Sequence, residues 1–276
     1  MSAVHDVNLT AEIRHALNDA QAGIEHSAMF ALLGERIGAL PEDVTLPAAS
    51  TVFQLIQRGG QETPCSQDAL FAEMREDFPT YCTRYAILAM TTCCEECLQR
   101  LLLTARLAVA AVQQRRLTTG KQFHQIREAW RKEIRRTSVD GLVPKILFAV
   151  GKGSATVTGL EWFRSAYSIK RCLTHRGGRV GPDDVGDDET LEVVWRKPVL
   201  EVNSQEVAAL PFKVQEGQLL SVGFTDECRS WRLGEAVQLT AQECQHVGLS
   251  LILFCTEFGN LLQAALLDLF GVQPHQ

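Results

Sequence analysis

The chain has 276 residues, of which 46% are hydrophobic and 22% charged. That is the composition of an ordinary soluble globular protein, long enough for one large domain or two small ones. A net charge of −6 excludes binding of polyanions through bulk charge, so any contact with nucleic acid must come from local basic clusters.

The nine cysteines lie mostly inside apolar helical patterns, and the first ten residues, MSAVHDVNLT, are too polar for a signal peptide. Free, buried thiols in a reducing cytosol are expected. Cys94 and Cys97 form a CxxC, but the motif falls within a helix and no second ligand pair follows, so neither a metal nor a cofactor is expected. No uninterrupted apolar run reaches the roughly 18 residues of a membrane span. The nearest, LSLILFCTEFGNLLQAALLDLF, is broken by Glu257, Asn260 and Gln263.

In chain order, residues from Asn8 to about Leu40 read as a helix that Thr10 can cap, with Ile13, Ala16, Leu17, Ala20, Ile24 and Met29 at helical spacing. Pro41, Pro47 and Gly59-Gly60 break up the next segment, leaving one short helix over Ser50–Arg58. A helix starting at Ser66 is expected to stop or kink at Pro79. Tyr81 to Gln114 gives the longest continuous helical signal. It is apolar on most sides, as a central bundle helix should be.

A local charge of +6 follows. Between Arg115 and Arg136 there are eight Lys or Arg against Glu128 and Glu133. Within that stretch Lys121–Thr137 reads as a helix with one apolar seam (Phe123, Ile126, Trp130, Ile134) and cations elsewhere, which is either a solvated outer face or a nucleic-acid contact. An apolar stretch opens at Pro144, GKGS at Gly151–Ser154 reads as a turn, since the P-loop spacing is missing, and a helix is expected over Val157–His175.

That helix carries the stretch RSAYSIKRCLTHRGGR, Arg164 to Arg179. It holds Arg164, Lys170, Arg171, Arg176 and Arg179 and no acid. Arg171 and His175 share a helix face, whereas Lys170 and His175 are about 140° apart and converge only if the last turn distorts. A cation beside an imidazole suits phosphate chemistry; the same residues also serve simply as dipole-favoured helix C-caps.

Beyond Gly178 the chain changes character. Asp183–Glu189 is an acidic loop: a solvated surface, a metal site, or a shield over the basic stretch that acts as an internal phosphate mimic. From Leu191 to Leu239 short strand-like runs follow (LEVVW, VLEV, PFKV, LLSVGF, EAVQL), with Gly217, Gly223 and Gly234 as turns. T-A-Q-E at Thr240–Glu243 is a capping box that opens a last helix to Leu269.

This order resembles the HEPN superfamily of helical-bundle proteins. THRGGRV, Thr174–Val180, is similar to the family's histidine-glycine segment, and LGEAVQLTAQE, Leu233–Glu243, to its signature before the last helix. Lys170 stands where the family has its motif arginine, and Arg171 where it has a polar residue. The resemblance implies a mainly α, HEPN-like helical bundle over 1–276 as a single domain, with an N-terminal helical extension over 1–64 and a β insertion over 190–239 before the last helix. It implies a cytoplasmic, metal-independent endoribonuclease that works as a homodimer in toxin–antitoxin or antiviral defence. RNA would be one partner and an antitoxin or defence-complex protein another. His175 would act as general acid or base, with Lys170 or Arg171 stabilising the transition state. Arg164, Arg176, Arg179, Arg127, Arg131 and Arg135 would guide the RNA backbone. The alternative is a catalytically silent HEPN module that dimerises, binds RNA or nucleotides, or scaffolds a larger complex.

Overall fold

The computed structural model describes residues 9–39, 67–114, 120–186, 188–202, 205–206 and 220–270. The fold is mainly α with a small β insertion before the last helix. The helices are α1 (Leu9–Gly38), α2 (Gln67–Gln114), α3 (Gly120–Ile134), α4 (Val139–Ala149), α5 (Leu160–His175) and α6 (Ala241–Phe270). The strands β1 (Thr190–Val202), β2 (Gln205–Glu206) and β3 (Leu220–Arg232) form an antiparallel sheet in the order β2-β1-β3. Ser50–Arg58, the PFKV run, Gly217 and Cys65 lie outside the described residues.

The long helix α2 packs against α1, α4, α5 and α6, which puts it at the centre of the bundle. Its apolar residues face several neighbours at once, and Ile87, Met90, Leu98, Leu101 and Leu102 are at most 1% exposed. Of the two expected outcomes at Pro79, a stop does not occur: the helix runs through it. A proline removes one N–H and clashes one turn back. The burial of Cys82, Ala86 and Met90 just beyond it carries the helix through.

The helix α1 lies close to α2 along a seam of small residues, Ala16, Ala20, Ser27, Ala31 and Gly34, all buried. A Cβ at Gly34 would collide with Cys82. Leu17 packs on Gly259 of α6, leaving no room for a side chain there. Thr10 lies within the helix rather than capping it, and Met29 is 59% exposed rather than core.

Pro144 falls inside α4 instead of opening it, between buried Leu142, Val143, Ile146 and Leu147. Residues 151–154 form the expected turn. The next helix starts three residues later than expected, at Leu160, because Gly159 turns the chain with φ +76° directly before it. The basic helix α3 likewise ends three residues early, at Ile134.

In the β insertion the first two strand-like runs merge into one 13-residue strand, β1, paired with β3 from Thr190↔Arg232 to Val202↔Leu220. Gly223 lies inside β3 rather than at a turn. EAVQL forms no strand and makes only one bridge, Arg179↔Ala236. Leu191, Val193 and Trp195 alternate inward on β1. Its backbone is also tied to the bundle, since Val194 N–H donates to Ser165 Oγ (2.9 Å) and Arg196 N–H to Ser250 Oγ (2.6 Å). The capping box forms as expected: Thr240 N–H donates to Glu243 Oε2 (2.7 Å) and Glu243 N–H to Thr240 Oγ1 (3.1 Å).

The last helix is more apolar than the sequence reading allowed. By length and composition α6 is capable of crossing a membrane, and half of that stretch is buried within the bundle. Phe254 and Phe258 are fully buried, and Phe254 stacks on Phe163 of α5 at 4.9 Å.

Candidate functional site

The site helix α5 buries Trp162, Phe163, Ala166, Ile169 and Cys172. These residues fix which of its polar side chains face outward. Arg164, Arg171 and His175 recur at i, i+7 and i+11 and so share one stripe. Lys170 belongs to a different stripe with Tyr167.

The helix closes regularly. Arg176 N–H (3.2 Å) and Gly178 N–H (2.9 Å) both donate to Cys172 O, and Gly177 and Gly178 take φ +61° and +86°. Glycine reaches these left-handed angles without strain, which is why Gly-Gly ends the helix here. The last turn is therefore undistorted, and Lys170 and His175 stay on separate faces. His175 is exposed at the helix end.

Three of the cations near His175, Lys170, Arg171 and Arg176, are met by carboxylates. Lys170 Nζ lies 3.0 Å from Glu95 Oε2 on α2, with the two side chains 17% and 24% exposed, and 5.1 Å over the Tyr167 ring. Burial and the nearby charges of Glu95 and Asp140 push the Tyr167 hydroxyl pKa up. Glu95 also lines a groove of about 640 Å³ between α2 and α3 that holds Glu96, Arg100, Arg131 and Arg135. Lys170 is thus tied through Glu95 to the central helix rather than turned to the His175 surface.

The acidic loop is not simply a solvated surface. Its start, Pro182–Asp184, forms a single 3₁₀ turn that points Asp184 inward, where its side chain is fully buried. Arg176 donates to Asp184 Oδ2 and to Asp183 Oδ2, the latter at 2.8 Å. Arg171 Nη2 lies 3.2 Å from Asp184 Oδ1 and donates to Asp183 O. Cys172 Sγ (3.2 Å) and Gly181 N–H (3.0 Å) donate to the same carboxylate.

Burial by itself raises the Asp184 pKa. The hydrogen bonds from Gly181, Arg176 and Cys172, with the Arg176 charge, outweigh it and hold the carboxyl below its usual range. The Cys172 thiol is pushed up to about 12 by burial and by Asp184, so it remains a protonated donor.

The remaining basic candidates are dispersed. Arg164 is exposed. Arg179 donates to Gly234 O at 3.0 Å. On α3, Arg131 pairs with Glu128 at 2.8 Å, Arg127 approaches the same Glu128 at 4.0 Å, and Arg135 is exposed just past the helix end. The structure therefore groups Arg164, Arg171 and His175 on one stripe of α5, joins Arg176 to Arg171 through Asp184, pairs Lys170 with Glu95, and sets Arg131 and Arg135 along the α2–α3 groove.

Sequence reasoning missed Glu95 as the partner of Lys170, whereas it named the acidic loop that holds Asp184 as a candidate shield of the basic site. It also missed that Cys255 of α6 places its sulfur 3.3 Å from that of Cys94. No local signal marks Glu95, whereas Asp184 carries one in its Pro-Asp-Asp turn. Comparison with protein-family models, with curated proteins and with solved structures finds no match to this chain.

Proposed function

We propose that this chain is a HEPN-like helical module that is catalytically silent in the state described, and that acts by binding RNA and associating with itself or with a partner protein. The observation that supports this is the pairing of Lys170 with Glu95 and of Arg171 and Arg176 with Asp184. A cation already matched by a half-buried or buried carboxylate stabilises a transferring phosphoryl group poorly, because the internal pair must first be broken. Arg135, Arg136 and Arg164 are exposed and have no carboxylate partner among the described residues, and these can neutralise an RNA backbone. The setting that goes with this reading is the cytoplasm, with RNA and a defence-complex or antitoxin protein as partners.

One observation favours the second reading, a metal-independent endoribonuclease working as a homodimer in toxin–antitoxin or antiviral defence. His175 is exposed on the same stripe as Arg171 and Arg164, and the Asp183–Asp184 turn occupies Arg171 and Arg176 as a phosphate would. Displacing that turn would release both arginines beside the imidazole.

The deciding experiment is incubation of the purified chain with a mixed RNA pool in EDTA, beside His175→Ala, Lys170→Ala and Arg171→Ala. RNA retention without cleavage, weakening as salt rises, is expected. Cleavage that survives EDTA and disappears in His175→Ala establishes the nuclease instead.

A further inference from the structure

On the other flank of α5, below Leu173 and Gly178, lies a second cavity of about 210 Å³ between α2, α5, β3 and the residues leading into α6. Two arginines, Arg84 and Arg229, line it, and no acidic side chain does. Arg229 is neutralised from outside the lining by Glu243. Arg84 is not. Four arginines bury an Nε that has no hydrogen-bond partner: Arg84, Arg127, Arg171 and Arg196. Arg127 approaches Glu128, Arg171 pairs with Asp184 and Arg196 with Asp226. Arg84 has no carboxylate among the described residues.

An arginine held half-buried without a counter-charge loses hydration and gains nothing in return. Its guanidinium lies against Gly178, where an added Cβ would come within 3.2 Å of Nη2. The N-terminus of the 30-residue helix α6 begins at the same cavity with Thr240, its end already capped by Glu243. Thr80 and Gln238 supply neutral hydrogen-bonding groups, while Ile169 and Leu173 form an apolar wall.

We propose that this cavity is a binding site for a phosphoryl group, with Arg84 as its principal ligand. A planar guanidinium grips two phosphate oxygens at once. The cavity is smaller than the roughly 300–1,000 Å³ of sites for drug-sized ligands. The ligand is therefore phosphate itself or a monoester whose carbon part rests on Ile169 and Leu173. The proposal is independent of whether the chain binds or cuts RNA, since it uses neither His175 nor any of the cations grouped with it.

The test is a titration of the full chain with inorganic phosphate at constant ionic strength, read by thermal unfolding and calorimetry. Wild type should show a saturable rise in Tm that sodium chloride does not reproduce. Arg84→Gln should lose it, Arg84→Lys should bind about tenfold more weakly because the fork is gone, and Arg14→Gln, remote on α1, should match wild type. A 5′-phosphorylated RNA oligonucleotide that competes with phosphate, where its 5′-hydroxyl counterpart does not, would assign the phosphoryl group to an RNA end. Equal behaviour of the two would assign it to a small molecule. The proposal is overturned if wild type shows no saturable response, or if Arg84→Gln and Arg84→Lys both respond as wild type does.

Discussion

Lys170 of α5 reaches Glu95 of α2 across 3.0 Å, and this pair ties the site helix to the central helix of the bundle. Both side chains are mostly withdrawn from water, so each charge depends on the other. Lys170→Met alone or Glu95→Gln alone should cost about 1–3 kcal/mol in urea unfolding, because one charge stays behind without its partner. Lys170→Met with Glu95→Gln should cost less than the sum of the single changes. Strict additivity would mean the pair contributes nothing.

Asp184→Asn should destabilise by about 2–3 kcal/mol at neutral pH, since a buried carboxylate that receives Arg176, Cys172 and Gly181 loses its charge. The pH dependence has a definite sign. The folded carboxyl has its pKa held below the unfolded value, so its contribution is complete above about pH 4 and is lost as pH falls below that. Acid unfolding of Asp184→Asn should be flatter than that of wild type in this range. Parallel acid limbs would refute the assignment.

Thiol reactivity should separate by exposure. Cys228 is exposed, whereas Cys172 and Cys244 are buried with pKa values pushed up to about 12. Because the thiolate is the nucleophile, brief alkylation at pH 8 with peptide mapping should label Cys228 long before Cys172, Cys244 or Cys255. Early labelling of Cys172 would mean the Asp184 turn opens readily.

Thr240→Ala removes the hydroxyl that accepts Glu243 N–H and should lower stability by about 1 kcal/mol, read as a lower Tm. Thr240→Ser, which keeps the oxygen, should recover most of it.

The local parts of this architecture were legible in the sequence. T-A-Q-E closes its capping box within four residues, Gly177-Gly178 ends α5 where left-handed angles are needed, and the all-round apolar character of α2 reflects its central place. What was not legible depends on distance through space. Nothing around Lys170 points to a glutamate 75 residues earlier, and nothing in Pro-Asp-Asp tells whether Asp184 faces water or Arg176. Pro144 misled because its local cost was weighed without the packing on either side. Arg84 looked like any helical arginine until the folded chain left it without a carboxylate.

The contact of Leu17 in α1 with Gly259 in α6 has a consequence for biosynthesis. The inner face of α1 is covered by a helix made more than two hundred residues later. At about 5–20 residues per second, the apolar side of α1 and α2 waits roughly ten to fifty seconds for its cover. During that interval the nascent chain presents a sticky surface, and a chaperone that shields α1 and α2 on the ribosome should raise the yield of soluble protein more than one acting after release.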